Sequence, residues 1–362
     1  MDRRTFLEAG LGVATATSLA GCAGQVTSRS PRAPAIVENR PNGIYLPGHV
    51  EGMQMVGTTE QGDYGFGLMY SYAHRFWNVN GETTSLTEIG PDDDIHLMAS
   101  VWDSETQTIL PETGLSVEIY RDSELISQEA IYPMLSQPMG FHYGANFGLD
   151  GDGTYDVRLS VGGLSTRRTD LFQDRFEQPV TARIPFEYSE SKRDNISFRR
   201  LEDAGSSGAV DPMAMEMLPS SIAPRADVLP GRVVGTGSTD GAVFVTTVLD
   251  SPPAGVVGQG QYLAVSARSQ YNRMVLPAMS LSAAQTRDGE ILSNQRLTRT
   301  LDPSLGYHYG AVVDAVQSGD KLTLSPTLQP QTARHEGYET AFGGETGAME
   351  DINFTVNDQQ SA

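Results

Sequence analysis

The chain has 362 residues, enough for two or three domains, each able to bury a full core. Asp and Glu number 45 against 25 Lys and Arg, giving a formal charge of −20 and a pI near 4.6. Nucleic acid and anionic lipid surfaces are therefore poor partners and cations good ones, and a single cysteine excludes disulfide frameworks and cysteine-rich metal sites.

The first seven residues run Met-Asp-Arg-Arg-Thr-Phe-Leu, followed by small apolar residues and then Leu19-Ala20-Gly21-Cys22. Arg3 and Arg4 ahead of Phe6-Leu7 resemble a twin-arginine (Tat) export signal. Leu-Ala-Gly-Cys resembles a lipoprotein processing box with Cys22 as the lipidation site. The expectation is a signal over 1–22, a Ser-, Pro- and Gly-rich tether over 23–42 and an exported protein anchored to the outer face of the cell membrane. No later segment approaches the roughly twenty apolar residues that span a bilayer.

From Ile44 onward short apolar alternations are separated by Gly, Asp and Pro, the pattern of an all-β sandwich. Candidate strands are 50–56, 65–72, 93–102, 115–121, 125–132, 154–161 and 180–187, a number that suits an immunoglobulin-like domain over 43–188. Asp150-Gly151-Asp152-Gly153 lacks the rest of a calcium loop and reads as a turn before a strand, with Tyr155 as a tyrosine-corner candidate. Residues 189–228 read as a linker. Within it the alternation of Met213, Met215 and Met217 suggests a strand packing its sulfurs, with a soft-metal loading segment as the alternative.

A second immunoglobulin-like repeat is expected over 229–357, because residues 306–311 (Gly-Tyr-His-Tyr-Gly-Ala) echo residues 140–145 (Gly-Phe-His-Tyr-Gly-Ala) at a spacing of 166, from 142 to 308. Leu110-Pro111 and Leu276-Pro277, and Arg121-Asp122 and Arg287-Asp288, keep the same spacing. A shared offset over about fifty residues marks a duplicated domain.

Metal donors crowd into the first repeat. Met134, Met139 and His142 lie within residues 133–146. In residues 95–102, Ile95, Leu97, Ala99 and Val101 form an apolar face, so His96 and Met98 point the other way. His49, Glu51, Met53 and Met55 share one parity. Imidazole with thioether favours copper, especially Cu(I), and a carboxylate such as Glu51 adds affinity for Fe(II) or Mn(II). The candidate metal set is therefore His96, Met98, Met134, His142, His49, Glu51 and Met53. The second repeat has Tyr262 for His96, Ala264 for Met98, Thr300 for Met134 and Arg232 for His49, and keeps only His308. His74, among aromatics near a strand end, reads as structural; His335 stands opposite Thr169 of the first repeat.

Asp94-Ile95-His96-Leu97, Met134, the His-Tyr-Gly-Ala-Asn run ending at Asn146, and Gly52-Met53-Gln54 resemble the periplasmic Fe(II)-transport accessory proteins that work beside an iron permease. The likeness covers about residues 48–190, with a weaker copy after it. It implies an immunoglobulin-like domain that dimerises and binds copper and iron through His96, Met134 and His142. The family carries a glutamate where this chain has Met98, and a late histidine where the first repeat has Arg167, Arg168 and Thr169. Two related repeats in one chain suggest an intramolecular pseudo-dimer, with His335 reaching toward the first site. The expectation is a lipid-anchored, non-enzymatic carrier of iron, with copper in the site as well or instead, that delivers metal to a permease. A metal-free cell-surface interaction module and a copper-dependent redox enzyme are the alternatives. The evenly spread acidity suggests a halophilic, archaeal source, with an acidic mesophilic protein as the other reading.

The mature protein should begin at a lipid-modified Cys22. Mass spectrometry of the membrane fraction checks this, and an unmodified Cys22 there counts against it.

Overall fold

Along the strand Val180–Tyr188, Ala182, Ile184, Phe186 and Tyr188 are buried while Thr181, Arg183, Pro185 and Glu187 face solvent. Its neighbour Gly153–Val161 repeats the period, burying Tyr155, Val157, Leu159 and Val161. One apolar face per sheet needs a second sheet to cover it, and the chain forms two such sandwiches. The computed structural model describes residues 34–357; the signal-like start, Cys22 and most of the proposed tether lie outside the described residues.

In the first sandwich, Val180–Tyr188, Gly153–Val161, Ser116–Arg121 and Glu124–Ala130 form a four-stranded sheet. It faces an eight-stranded sheet ordered Gln54–Gln61, Tyr64–Tyr72, Ile95–Asp103, Gly140–Phe147, Tyr132–Ser136, Ala333–Arg334, Phe76–Asn80, Thr83–Thr87. The second sandwich pairs a six-stranded sheet, from Arg167–Arg168 through Thr298–Asp302, Gly306–Val313, Gln261–Ser269 and Ala242–Leu249 to Arg232–Thr239, with a four-stranded one. The expected all-β, immunoglobulin-like architecture is what the chain adopts. Tyr155 forms its corner, its hydroxyl donating to the Gly151 carbonyl at 2.7 Å beside the positive φ of Gly151.

Several local expectations need correction. The His-Tyr-Gly-Ala stretch, absent from the expected strands, lies in one: Tyr132–Ser136 and Gly140–Phe147 are a hairpin in register His142↔Met134, turned at Gly140 with φ 69°. The strand Ile95–Asp103 is buried on both faces, so the face carrying His96 and Met98 is a second interior. Methionines 213, 215 and 217 form no strand; Met217 is exposed, and Leu218 is the residue that inserts, into space that Gly67 leaves by lacking a side chain. The expected linker is packed against the sandwiches: Phe198–Arg200 pairs with His49–Glu51, and Ser221 Oγ accepts from Phe141 N at 2.9 Å and donates to the Met139 carbonyl at 3.0 Å.

Each sandwich receives a two-residue strand from the other half of the chain. Arg167–Arg168 runs parallel to the second sandwich's Thr298–Asp302, with Arg167↔Thr300. Ala333–Arg334 runs parallel to the first sandwich's Tyr132–Ser136, with Ala333↔Met134 and Arg334↔Leu135. The two exchanges are equivalent under the sequence repeat. Arg334 is buried: its guanidinium donates to the carbonyls of Ala341 and Phe342 and, at 2.7 Å, to Gln329 Oε1, which fixes the chain on both sides of the exchanged strand.

Substituting Arg334→Leu removes the donor from three buried acceptors, a change worth about 3 kcal/mol where a charged donor is lost. The metal-free variant should show a lower urea midpoint with an unchanged m-value. A midpoint equal to wild type would mean that residues 329–342 hold their course without it.

Candidate metal centre

Strand parity puts His96 and Met98 on one face of Ile95–Asp103, and register brings residues of the next strand beside them: Asn146 opposite His96 and Gly144 opposite Met98. Two residues back along that strand lies His142, opposite Met134. The exchanged strand passes Met134 and delivers the next residue, His335, whose amide donates to the Leu135 carbonyl at 3.0 Å. His335 Nε2 then lies 3.4 Å from Met134 Sδ. His74 arrives from the other side, at the end of Tyr64–Tyr72, and stacks on His96 with ring centroids 4.0 Å apart.

Ligand atoms of His74, His96 and His335 lie within 4.8 Å of one another. The His142 ring centroid is 5.2 Å from that of His335. His96, His142 and Met134 are fully buried.

The hydrogen bonds fix which nitrogens are free. Asn146 Nδ2 donates to the His74 carbonyl at 3.0 Å, so Asn146 Oδ1 is the atom facing His96 Nδ1, at 2.8 Å. His96 Nδ1 must carry the proton, leaving the lone pair on Nε2. His142 Nδ1 likewise donates to the Gly140 carbonyl at 3.0 Å, leaving its lone pair on Nε2. Both Nε2 atoms are buried without a partner, as are both ring nitrogens of His74 and one oxygen of Glu51. Buried polar atoms are nearly always hydrogen-bonded, so a cluster of such orphans marks a candidate place for an ion.

Electrostatics favours the same state. Burial pushes His74 down to about 3 and His142 to about 4, and holds His96 and His335 well below the ordinary range; for His96 and His335 the neighbouring imidazoles add to it. All four rings are thus neutral at physiological pH, the form that binds metal. Burial pushes Glu51 up to about 7.

Gly144 shows how tightly these donors are packed. A Cβ there would lie 2.6 Å from His96 Nε2 and 3.1 Å from Met134 Sδ. In the second sandwich the equivalent space is filled by protein. Tyr262 Oη donates to His308 Nε2 at 2.9 Å, and Arg167 reaches across to Tyr262 Oη at 2.7 Å and Thr300 Oγ1 at 2.9 Å. His308, whose Nδ1 donates to Gly306 as His142 does to Gly140, has both nitrogens satisfied.

Of the residues singled out in the sequence, the fold gathers His96, Met134 and His142. Met98 shares their face but lines an adjacent pocket, with Met53 and Met139. Glu51 meets His74 instead of His96, its Oε1 2.7 Å from Nδ1 but outside hydrogen-bond geometry, and His49 stacks on Phe198 at 4.9 Å. His74, read as structural, belongs to the cluster. Its signal was hidden because it precedes the hairpin Phe76–Thr87, in a segment of twenty-two residues between sheet strands where the second repeat has eleven. His335 did leave a signal, as the late histidine missing from the first repeat.

Comparison with known proteins adds the following. Residues 227–355 match a family model described as a domain of unknown function, DUF7350. No curated protein matches the chain. Similar solved structures include FetP of uropathogenic Escherichia coli strain F11, 16% identical, with 39% of this chain and 96% of that chain covered and a TM-score of 0.27. The copper-reconstituted P19 protein of Campylobacter jejuni is another, 18% identical, with 39% and 96% covered and a TM-score of 0.29.

Gly144→Ala should leave the circular dichroism spectrum intact while lowering copper affinity about tenfold or more, by displacing His96 and Met134. Gly310→Ala, whose Cβ would meet Tyr262 Oη at 2.0 Å, should instead lower stability and leave affinity unchanged. Competition titration against a chelator reads both, and equal affinities for Gly144→Ala and wild type would refute this packing argument.

Proposed function

We propose that this protein is an extracytoplasmic, lipid-anchored carrier of a soft or borderline transition-metal ion, copper foremost, serving iron uptake by passing metal to a membrane permease. The observation that carries this reading is a buried cluster of neutral groups in which ligand atoms of His74, His96 and His335 lie within 4.8 Å of one another, with Met134 Sδ 3.4 Å from His335 Nε2 and the His142 ring, its Nε2 unpartnered, 5.2 Å from that of His335. Three imidazoles and a thioether suit Cu(I), and imidazole also accepts Fe(II). The ion is cargo in this reading, so the role is carriage and not turnover. Export and anchoring rest on the signal-like start and Cys22. The permease rests on the resemblance of residues 48–190 to iron-transport accessory proteins.

The same proposal treats the two halves as the two subunits of a dimer fused in one chain. Reciprocal pairing of Arg167–Arg168 and Ala333–Arg334 supports it, since each sandwich is completed by the other half. One site is furnished and the other filled by Tyr262 and Arg167, so the stoichiometry of the buried centre should be one ion per chain.

Protein expressed with copper, iron and manganese in competition should retain about one equivalent of copper. His142→Ala should bind it about 100-fold more weakly or worse while keeping its fold, because loss of one of four ligands costs affinity more than stability in a preformed β-scaffold. Elemental analysis and Cu(I) competition titration measure both. A wild-type protein that retains neither copper nor iron, or a variant that binds as tightly, would end this reading.

A further inference from the structure

The second sandwich buries a charge that no carboxylate meets. In its antiparallel pair Ala242–Leu249 and Gln261–Ser269, Arg268 lies opposite Val243, and alternation puts its side chain on the same face as Tyr262 and Ala264. The first sandwich has Trp102 at the equivalent position, opposite Gly65. There the indole lies over Gly65 and Gly67, whose missing side chains leave it room, and Leu218 fills what remains. In the second sandwich Val243 and Val245 stand where those glycines are and a guanidinium replaces the indole. The space beside them is an open pocket.

Arg268 is only 3% exposed. Its guanidinium donates to the Pro224 carbonyl and to Ser266 Oγ, both at 2.6 Å, and its Nε has no partner. Arg273 lines the same pocket and donates to the Ala223 carbonyl at 3.3 Å. Among the described residues neither arginine forms an ion pair, and the acid on the pocket wall, Asp227, is engaged by Arg225 through two bonds of 2.9 and 2.6 Å. Buried charges are ordinarily paired. Arg334, equally buried, has the Glu339 carboxylate near enough to offset its charge, whereas burial and the neighbouring Arg273 guanidinium push Arg268 down to about 10. In a chain of net charge −20, a pocket with two uncompensated cations stands apart from its surroundings.

We infer that the pocket formed by Arg268, Arg273, Val243 and Val245 binds a small organic dicarboxylate, with one carboxylate held by each guanidinium. A guanidinium presents its N–H donors in a planar fork that fits a carboxylate, and two unpaired cations match a dianion. The valines favour an anion with carbon between its charged ends over a fully hydrated sulfate or phosphate, and Thr236 and Gln270 add polar side chains to the wall. The inference is independent of the carrier reading, because it uses none of the metal donors.

The test uses the full chain, free of metal, titrated calorimetrically with succinate and separately with sulfate at physiological ionic strength set by sodium chloride. Succinate should bind with a stoichiometry of one per chain and more tightly than sulfate. Arg273→Gln changes a partly exposed side chain that ties down only the Ala223 carbonyl, so the fold is kept, and it should weaken succinate binding about tenfold or more. Arg268→Lys keeps the charge but loses the fork, and should weaken it similarly. Copper affinity should stay at the wild-type value in both variants; a parallel fall in it would mark a general loss of structure and overturn the assignment. So would the absence of succinate binding, sulfate binding as tight as succinate, or a folded Arg273→Gln variant with unchanged affinity.

Discussion

Closure of the imidazole cluster depends on two backbone pairings, Ala333 beside Met134 and Arg334 beside Leu135. A strand of two residues contributes little energy by itself, and parallel pairing gives no turn to hold it. What secures it is the buried Arg334, whose donors span acceptors on both sides of the strand, together with the antiparallel partner Trp77 on its other edge. Once that segment is fixed, the backbone has no freedom to place His335 anywhere but over Met134. The mirror exchange at Arg167–Arg168 obeys the same rule, and it places Thr169 against Asp302 and Leu301 where the first sandwich has His335.

The two halves therefore compare one scaffold in two electrostatic conditions. Around His308 every lone pair and proton finds a partner, with Arg167 supplying the charge that closes the network. Around His142 the corresponding positions are His96 (whose proton goes to Asn146), Met134 and Ala333, none of which gives a hydrogen to the imidazole. Leaving buried nitrogens unpaired costs folding free energy, on the order of 1–3 kcal/mol each. In the proposed carrier, a bound ion would repay that cost at the imidazole cluster. Burial does double duty: it keeps the imidazoles neutral, and it removes the water that would otherwise compete with an incoming ion for their lone pairs.

How much of this was legible in the sequence follows from the range of each signal. Parity along Ile95–Asp103 placed His96 opposite the apolar residues, and the repeated Gly-x-His-Tyr-Gly-Ala motif singled out His142, because strand period and duplication are local or exact. Met134 was found by composition, although its pairing with His142 needed the hairpin. The hairpin itself was missed, since Pro133, Pro138, Gly140 and Gly144 break up the β-forming run across residues 132–147. Both faces of the central strand being interior could not be read, as what covers the second face is the 189–228 segment and residues 332–342, far along the chain. His74 was missed for a related reason: the repeat that served as internal control has no counterpart for it.

The donor-poor half is best understood through what it excludes. On a lone sandwich, the face bearing His96 and His142 would be open to water, and the three imidazoles there, of His74, His96 and His142, would behave as ordinary surface histidines, protonated in mildly acid surroundings. Covering that face takes atoms from outside the first sandwich: His335 and Arg334 from the second half, and Leu218 and Ser221 from the connection. These contributions depend on backbone course and packing, not on ligating chemistry in the second half. In that half the positions equivalent to His96 and Met134 are Tyr262 and Thr300, which Arg167 ties into a hydrogen-bonded network. The loss of donors from one repeat and the burial of donors in the other are, in this sense, a single structural solution.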